Sequence, residues 1–242
     1  RSATLVPERI ENPNAYPYTL PAVRSLEQLR LEQPVTFLVG ENGTGKSTLL
    51  EAIALAFGFN PEGGTMNFRF QTYDSHSGLG AALRLIKGPY RPRDGFFLRA
   101  ESFYNVATYI EDLDRETVPF VPPLKDAYGG SLHERSHGEA FFALLCKRLS
   151  GHGLYLFDEP EAALSPSRQM AMLARIHDLA GLHSQFIIAT HSPILMAYPG
   201  AAIHLLDERG ITRCAYADVP HVQLTRAFLE APERYVRRLL AD

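Results

Sequence analysis

The sequence contains no tryptophan and only two cysteines, Cys146 and Cys214, among 242 residues. Two thiols so far apart cannot build a disulfide framework or a four-cysteine zinc site, and they suit a reducing compartment. No apolar run approaches the roughly 18–20 residues of a membrane span, and the N-terminus lacks a charged lead followed by an apolar signal core. Excess positive charge is missing too, since 27 acidic against 24 basic residues leave a net charge of −3. That excludes a protein that coats nucleic acid through bulk charge. His133, His137 and His152 are not accompanied by a cysteine or a second ligand pair, so they do not suggest zinc. What remains is an ordinary globular composition, 45% hydrophobic and 21% charged, long enough for one large domain with its own core.

The chain alternates strand and helix signals. PVTFLVG, starting at Pro34, reads as a strand buried on both faces of a parallel sheet. KSTLLEAIALAF comes next as a helix with Leu49, Leu50, Ile53 and Phe57 on its apolar side, and Gly58 stops it. LYLF at Leu154–Phe157 and QFIIAT at Gln185–Thr190 repeat the buried-strand pattern. Ser165-Pro166 and Ser192-Pro193 each open a helix, with serine as cap and proline at the first helical position. The first of these predicts Met170, Leu173, Ile176 and Leu179 facing inward. Residues 59–149 have another texture: short strand-like pieces broken by Gly and Pro, with helical stretches at 102–115 and 132–149. They read as an inserted, mixed subdomain between core segments of about 1–58 and 150–242. A hairpin is expected around Asp207–Gly210, then a terminal helix.

Three strand ends carry chemistry. The segment Gly40-Glu41-Asn42-Gly43-Thr44-Gly45-Lys46-Ser47 fits G-x-x-x-x-G-K-[ST] and lies between a buried strand and a helix. Consecutive backbone N–H groups and the positive end of the helix answer the charge of a triphosphate. Lys46 supplies a point charge to the terminal phosphates, the Ser47 hydroxyl is placed to ligate Mg²⁺, and Thr48 falls near the α-phosphate. Asp158 and Glu159 end the second strand, where Asp158 can hold Mg²⁺ and Glu159 can accept a proton from attacking water. At the end of the third, His191 can donate a hydrogen bond to the γ-phosphate or the water, or is a satisfied structural histidine.

In order and spacing these motifs resemble the ATP-binding-cassette (ABC) ATPase superfamily. GENGTGKS stands as Walker A, LYLFDE as Walker B with the catalytic glutamate, PEAALS as the D-loop and Thr190-His191 as the switch histidine. RSHGE, residues 135–139, looks like a degenerate signature loop, with Arg135 and His137 where a leucine and a second glycine are usual. The resemblance implies an α/β fold of the P-loop NTPase class: a parallel sheet of ABC-ATPase type, an antiparallel β insertion and a short helical subdomain. It implies a cytoplasmic ATP hydrolase that uses Mg²⁺ and forms an ATP-dependent homodimer, with Ser136 and Gly138 gripping the partner's nucleotide. Ser136 with Glu139 also reads as a capping box. Glu101, or else Gln71, stands in for the glutamine that senses Mg²⁺, and Tyr16 or Tyr18 is the candidate for stacking on adenine. The flavour of DEPEAALSP and IIATHSPIL resembles stand-alone ATPases allied to the overcoming-lysogenization-defect (OLD) nucleases and to chromosome-maintenance and recombination-repair ATPases. That implies nucleic acid or a separate effector chain as partner. The alternative is the ATP-binding subunit of an ABC transporter. Arg84, Lys87, Arg91, Arg93 and Arg99 form a basic cluster, read as a solvated strand face in preference to a phosphate contact.

Overall fold

A computed structural model of the chain describes residues 1–61, 63–66, 78–89, 91–99, 103–115, 123, 125–126, 130 and 137–241. The strands are β1 (Ser2–Leu5), β2 (Leu29–Arg30), β3 (Val35–Val39), β4 (Leu83–Ile86), β5 (Asp94–Arg99), β6 (Gly153–Asp158), β7 (Gln185–Ala189), β8 (Ala202–Asp207) and β9 (Gly210–Cys214). The helices are α1 (Pro21–Arg24), α2 (Lys46–Phe57), α3 (Leu79–Ala82), α4 (Phe103–Arg115), α5 (His137–Ala143), α6 (Pro166–Gly181), α7 (Pro193–Met196), α8 (Pro220–Glu230) and α9 (Pro232–Leu239). Six strands form the main sheet in the order β5-β6-β7-β3-β8-β9. All neighbours in it run parallel except β8 and β9, which close the expected hairpin with Asp207 opposite Gly210.

Both faces of this sheet are covered, which is why its strands are continuously apolar. On one face Phe37, Phe96, Leu98, Tyr155, Phe157, Phe186 and Ile188 pack with Phe141, Met172, Ile176 and Leu195. On the other, Leu38, Phe97, Leu156, Ile187 and Ala189 pack with Leu49, Leu50 and Ile53 of α2. The alternation along each strand sends successive residues to opposite cores. This is the parallel α/β architecture expected of a P-loop NTPase.

A second, antiparallel sheet has the order β2-β1-β4. Its strand membership cuts across the expected boundary at residue 58. From the segment 59–149, β4 pairs with β1, while β5 lies parallel to β6 in the main sheet. Helix α6 corrects another expectation. Its buried residues are Gln169, Met172, Ile176 and Leu179, whereas Met170 is 58% exposed. Ile176 and Leu179 are buried as read in the sequence and Leu173 packs against the core, so only Met170 departs, its place taken by Gln169 and Met172. Polar Gln169 takes the first buried place because its amide bonds the Leu164 carbonyl and the Ser192 hydroxyl.

Candidate functional site

The adjacent strands β3, β6 and β7 end at the same edge of the sheet, and local interactions shape the chain just beyond each of them. After β3 the chain turns at Gly40, φ +152°, where a Cβ would lie 2.2 Å from the Leu206 carbonyl oxygen. Only glycine fits so close an approach. The loop then folds on the Glu41 carbonyl, which accepts hydrogen bonds from the Thr44 hydroxyl (2.8 Å) and the Lys46 ammonium (3.0 Å). Gly45 precedes α2 with positive φ, so Lys46 and Ser47 open the helix.

Lys46 is 4% exposed. Burial pushes its pKa below the ordinary lysine value, against the opposing pull of Glu159, Asp158, Glu161 and Glu41. The ammonium is therefore an under-solvated cation facing carboxylates from two strand ends, a state that phosphate oxygens would relieve. Ser47 donates to Asp158 Oδ1 at 2.8 Å, joining the first turn of α2 to the end of β6. Asp158 Oδ2 also lies 4.0 Å from Arg99 Nε, and Arg99 in turn pairs with Glu51 at 2.8 Å.

Glu159 is the first residue beyond β6 and adopts φ 48°, ψ 52°. The left-handed region costs a non-glycine residue of order 1 kcal/mol or more, and such strain concentrates at functional sites. Here the Glu159 N–H is held by the Ala189 carbonyl at 2.9 Å, and its carboxylate Oε1 comes within 3.3 Å of His191 Nε2. After β7, Thr190 donates its N–H to the Leu38 carbonyl at 3.1 Å. Ser192 caps α7 by accepting from the N–H groups of Ile194 and Leu195. His191 is thus clamped between two fixed residues.

Lys46, Asp158, Glu159 and His191 are consequently brought together beyond the ends of β3, β6 and β7. Three further residues join them that the motifs did not assign to the site. Glu161 accepts the His191 N–H at 2.6 Å. Arg99 bridges Glu51 and Asp158. His221, in the first turn of α8, lies 3.3 Å from Glu41 and stacks edge-on against His191 with ring centroids 5.3 Å apart. Burial lowers the pKa of His221; Glu41 opposes that shift, while His191 and Lys46 reinforce it. Nothing in the local sequence marks His221, because its importance comes from a helix that packs back across the chain. Glu161 did carry a signal: a third carboxylate two residues after Glu159.

Among the described residues, the buried side-chain polar atoms without a hydrogen-bond partner include Arg99 Nε, Glu161 Oε2, His191 Nε2 and His221 Nδ1, all in the residues just placed at this edge. Native proteins leave few such atoms, and a cluster of them marks a place made for a polar ligand. The donor set fits a magnesium nucleotide. Mg²⁺ binds through one or two protein oxygens plus phosphates and water, which is the complement Ser47 and Asp158 offer. No group of three metal-ligating side chains is present among the described residues.

The remaining candidates are placed less centrally. Gly138 lies in α5 against the turn at Pro160–Ala163, where a Cβ would meet the Ala163 carbonyl oxygen at 2.5 Å and Arg168 at 2.9 Å. That packing alone requires glycine there. Ser136, Glu101 and Gln71 lie outside the described residues. Tyr18 packs against the core beside α2, whereas Tyr16 is 66% exposed and its hydroxyl meets that of Thr48 at 2.8 Å.

Comparison with known proteins agrees with this geometry. Residues 9–85 match the family described as "AAA domain", and residues 140–197 match the one described as "AAA domain, putative AbiEii toxin, Type IV TA system". These matches support a P-loop ATPase of the ABC type. ATP is what such a domain binds and hydrolyses. The chain is similar to an uncharacterized ABC transporter ATP-binding protein of Haemophilus influenzae, at 25% identity over 74% of this chain and 72% of the relative. It is also similar to the L-cystine transport system ATP-binding protein TcyN of Escherichia coli, at 26% identity over 81% and 86%. Among solved structures, the SMC head domain from Thermotoga maritima aligns with TM-score 0.42 and 16% identity, over 78% of this chain and 93% of that one. CbiO1 from Clostridium perfringens, part of an ABC transporter complex, aligns with TM-score 0.46 and 16% identity over 90% and 91%.

Proposed function

We propose that this single-domain ATPase works in the cytoplasm as a nucleotide-controlled switch in nucleic-acid maintenance or defence against foreign DNA. The convergence of Lys46, Asp158, Glu159 and His191 beyond the ends of the core strands carries the chemical part of that reading. Gly40 to Thr48 hold the triphosphate through backbone N–H groups, and Lys46 neutralises its terminal phosphates. Ser47 and Asp158 would hold Mg²⁺, which would supply charge to offset that on the phosphates; Glu101 or Gln71 is the candidate for a further contact to the ion. Glu159 accepts a proton from the water that attacks in line, and His191 donates a hydrogen bond to the γ-phosphate. The exposed ring of Tyr16, tethered to Thr48, is the surface offered to adenine.

Two copies close on two ATP molecules, each presenting Ser136 and Gly138 to the other's nucleotide, and hydrolysis loosens the pair. Size measurement of Glu159→Gln with Mg²⁺ and ATP tests this: a dimer is the expected result, and an unchanged monomer overturns it. The nucleic-acid role draws support from the toxin-linked AAA family matched at residues 140–197 and from the resemblance to OLD-type and chromosome-maintenance ATPases. The names of the two curated relatives favour a second reading, the ATP-binding subunit of an ABC transporter. Turnover raised by single-stranded DNA, duplex DNA or RNA selects the first. Co-purification with a membrane subunit, and no response to nucleic acid, selects the second. Among the described residues no helix is long and apolar enough to cross a membrane.

A further inference from the structure

The opposite edge of the main sheet holds a cavity of about 1020 Å³ that the ATP site does not use. Its walls come from the residues leading into β3, β5, β6 and β7, and it is lined by Arg1, Lys87, Arg91, Arg93, His152 and His183. Glu32 is the sole carboxylate among the lining residues. Part of the basic cluster visible in the sequence therefore lines this concavity while staying exposed. Arg99 leaves it for Glu51 and Asp158 at the catalytic edge, while Lys87, Arg91 and Arg93 gather with Arg1 at this one.

These charges are not spent on ion pairs among the described residues. The Arg1 guanidinium donates to the neutral Gln185 amide oxygen at 2.9 Å, and the Lys87 ammonium stands 4.9 Å from the centre of the Phe57 ring. Asp94, the residue after Arg93, is already held by Arg148 at 2.9 Å. The cavity wall is also fixed in shape. His152 and His183 both have left-handed backbones, φ 58° and 60°, with rings 5.3 Å apart. The His152 N–H is anchored to the Leu182 carbonyl at 2.7 Å, and its own carbonyl accepts from Arg93 N–H at 2.8 Å. Such conformations persist where the surroundings impose them, and they cluster at ligand sites.

On a chain of net charge −3, four cations facing a single carboxylate among the lining residues focus positive potential where an anion can enter. Arginine matches phosphate oxygens in fork geometry. Phe57, Pro34, Pro89 and Pro92 add apolar surface to the lining, which sugars and unstacked bases can cover. A flat membrane surface cannot follow a cavity inward, and a duplex presents its phosphates on a convex cylinder. The geometry points to the sugar–phosphate backbone of single-stranded nucleic acid as the ligand of this cavity. The assignment rests on the nucleic-acid reading of the ATPase and names the surface that reading lacks.

The test is binding of a fluorescent single-stranded DNA oligonucleotide to the whole chain without ATP, across a range of salt concentrations, with ATP turnover measured on the same samples. The double variant Arg91→Glu/Arg93→Glu weakens binding at least tenfold. It also flattens the slope of log affinity against log salt by about 1.4, at roughly 0.7 for each single-strand phosphate no longer neutralised. Glu32→Gln, which removes the opposing charge, tightens binding, a gain that damage to the fold would not produce. Arg237→Glu/Arg238→Glu, on the exposed face of α9, changes neither quantity. If the oligonucleotide binds and stimulates turnover but Arg91→Glu/Arg93→Glu and Glu32→Gln bind like the parent, the cavity assignment is overturned and the nucleic-acid reading stands. If the parent protein neither binds the oligonucleotide nor responds to any nucleic acid, both fall together.

Discussion

Strands β5, β6 and β7 carry polar side chains at both ends, and the two ends treat them differently. Near the N-terminal ends of β5 and β6, Asp94 accepts from Arg148 (2.9 Å), the Ser150 hydroxyl (3.2 Å) and the Tyr155 hydroxyl (2.9 Å). Tyr155 also donates to the Ser150 carbonyl, so the cluster is closed on itself. Beyond the C-terminal ends, His191 Nε2 and Glu161 Oε2 are buried without a hydrogen-bond partner, and Lys46 is under-solvated. A satisfied polar cluster specifies the fold; an unsatisfied one is arranged for something that arrives later. Substitutions at the catalytic edge should therefore remove activity and spare stability, and those at Asp94 should do the reverse.

The largest effect is expected from Glu159→Gln. Loss of a positioned base lowers turnover about 10²–10⁴-fold, while ATP binding persists because the phosphate-holding loop is untouched. The melting temperature should hold or rise, since a strained residue loses a charge beside Asp158 and Glu161. Steady-state turnover with nucleotide-binding titration checks this, and wild-type turnover in Glu159→Gln would dismantle the catalytic assignment.

Asp94→Asn should act through stability instead. Burial would raise the Asp94 pKa, but the Arg148 charge and the hydrogen bonds from Tyr155, Arg148 and Ser150 hold it below the ordinary carboxylate value. A depressed folded pKa contributes stability that is present above the unfolded value and is lost as pH falls through the folded one. The variant should therefore lose about 1–3 kcal/mol at pH 7, and its deficit should shrink below about pH 4. Melting curves across pH test the sign. A deficit that grows on acidification would contradict it, and turnover per folded molecule should stay at the parent's level.

Much of this contrast was legible in the sequence. A G-x-x-x-x-G-K-S run after a buried strand, and carboxylates or histidine directly after two more, state their own location, because strand ends in a parallel sheet share an edge. The ends of β3, β6 and β7 could be grouped from the chain alone. Less legible were residues whose role depends on register between distant segments. The sequence reads 59–149 as one insertion, yet β5 hydrogen-bonds along β6 and thereby brings Arg99 opposite Asp158. Met170 reads as a core residue by helical spacing, but it faces out and Met172 takes the inward place. Nothing local in the sequence marks Asp94; the return of Arg148 and Tyr155 makes it the centre of a cluster.

His221 tests the smallest difference between the two edges. It belongs to the catalytic edge by position, and its side chain reaches Glu41 of the phosphate-holding loop and the ring of His191. As a positioning residue it should matter only modestly. His221→Gln keeps a polar group of similar reach but loses the ring that packs edge-on against His191, leaving that imidazole freer to turn from the γ-phosphate. Turnover should fall about two- to tenfold, equivalent to at most ~1.4 kcal/mol, with little change in KM for ATP or in melting temperature. In a His191→Ala background the same substitution should cost nothing further, because residues that act as a unit are not additive. Equal losses in both backgrounds would mean that His221 acts on the nucleotide independently of His191, and a drop in melting temperature without a change in kcat would place it with Asp94 as part of the scaffold.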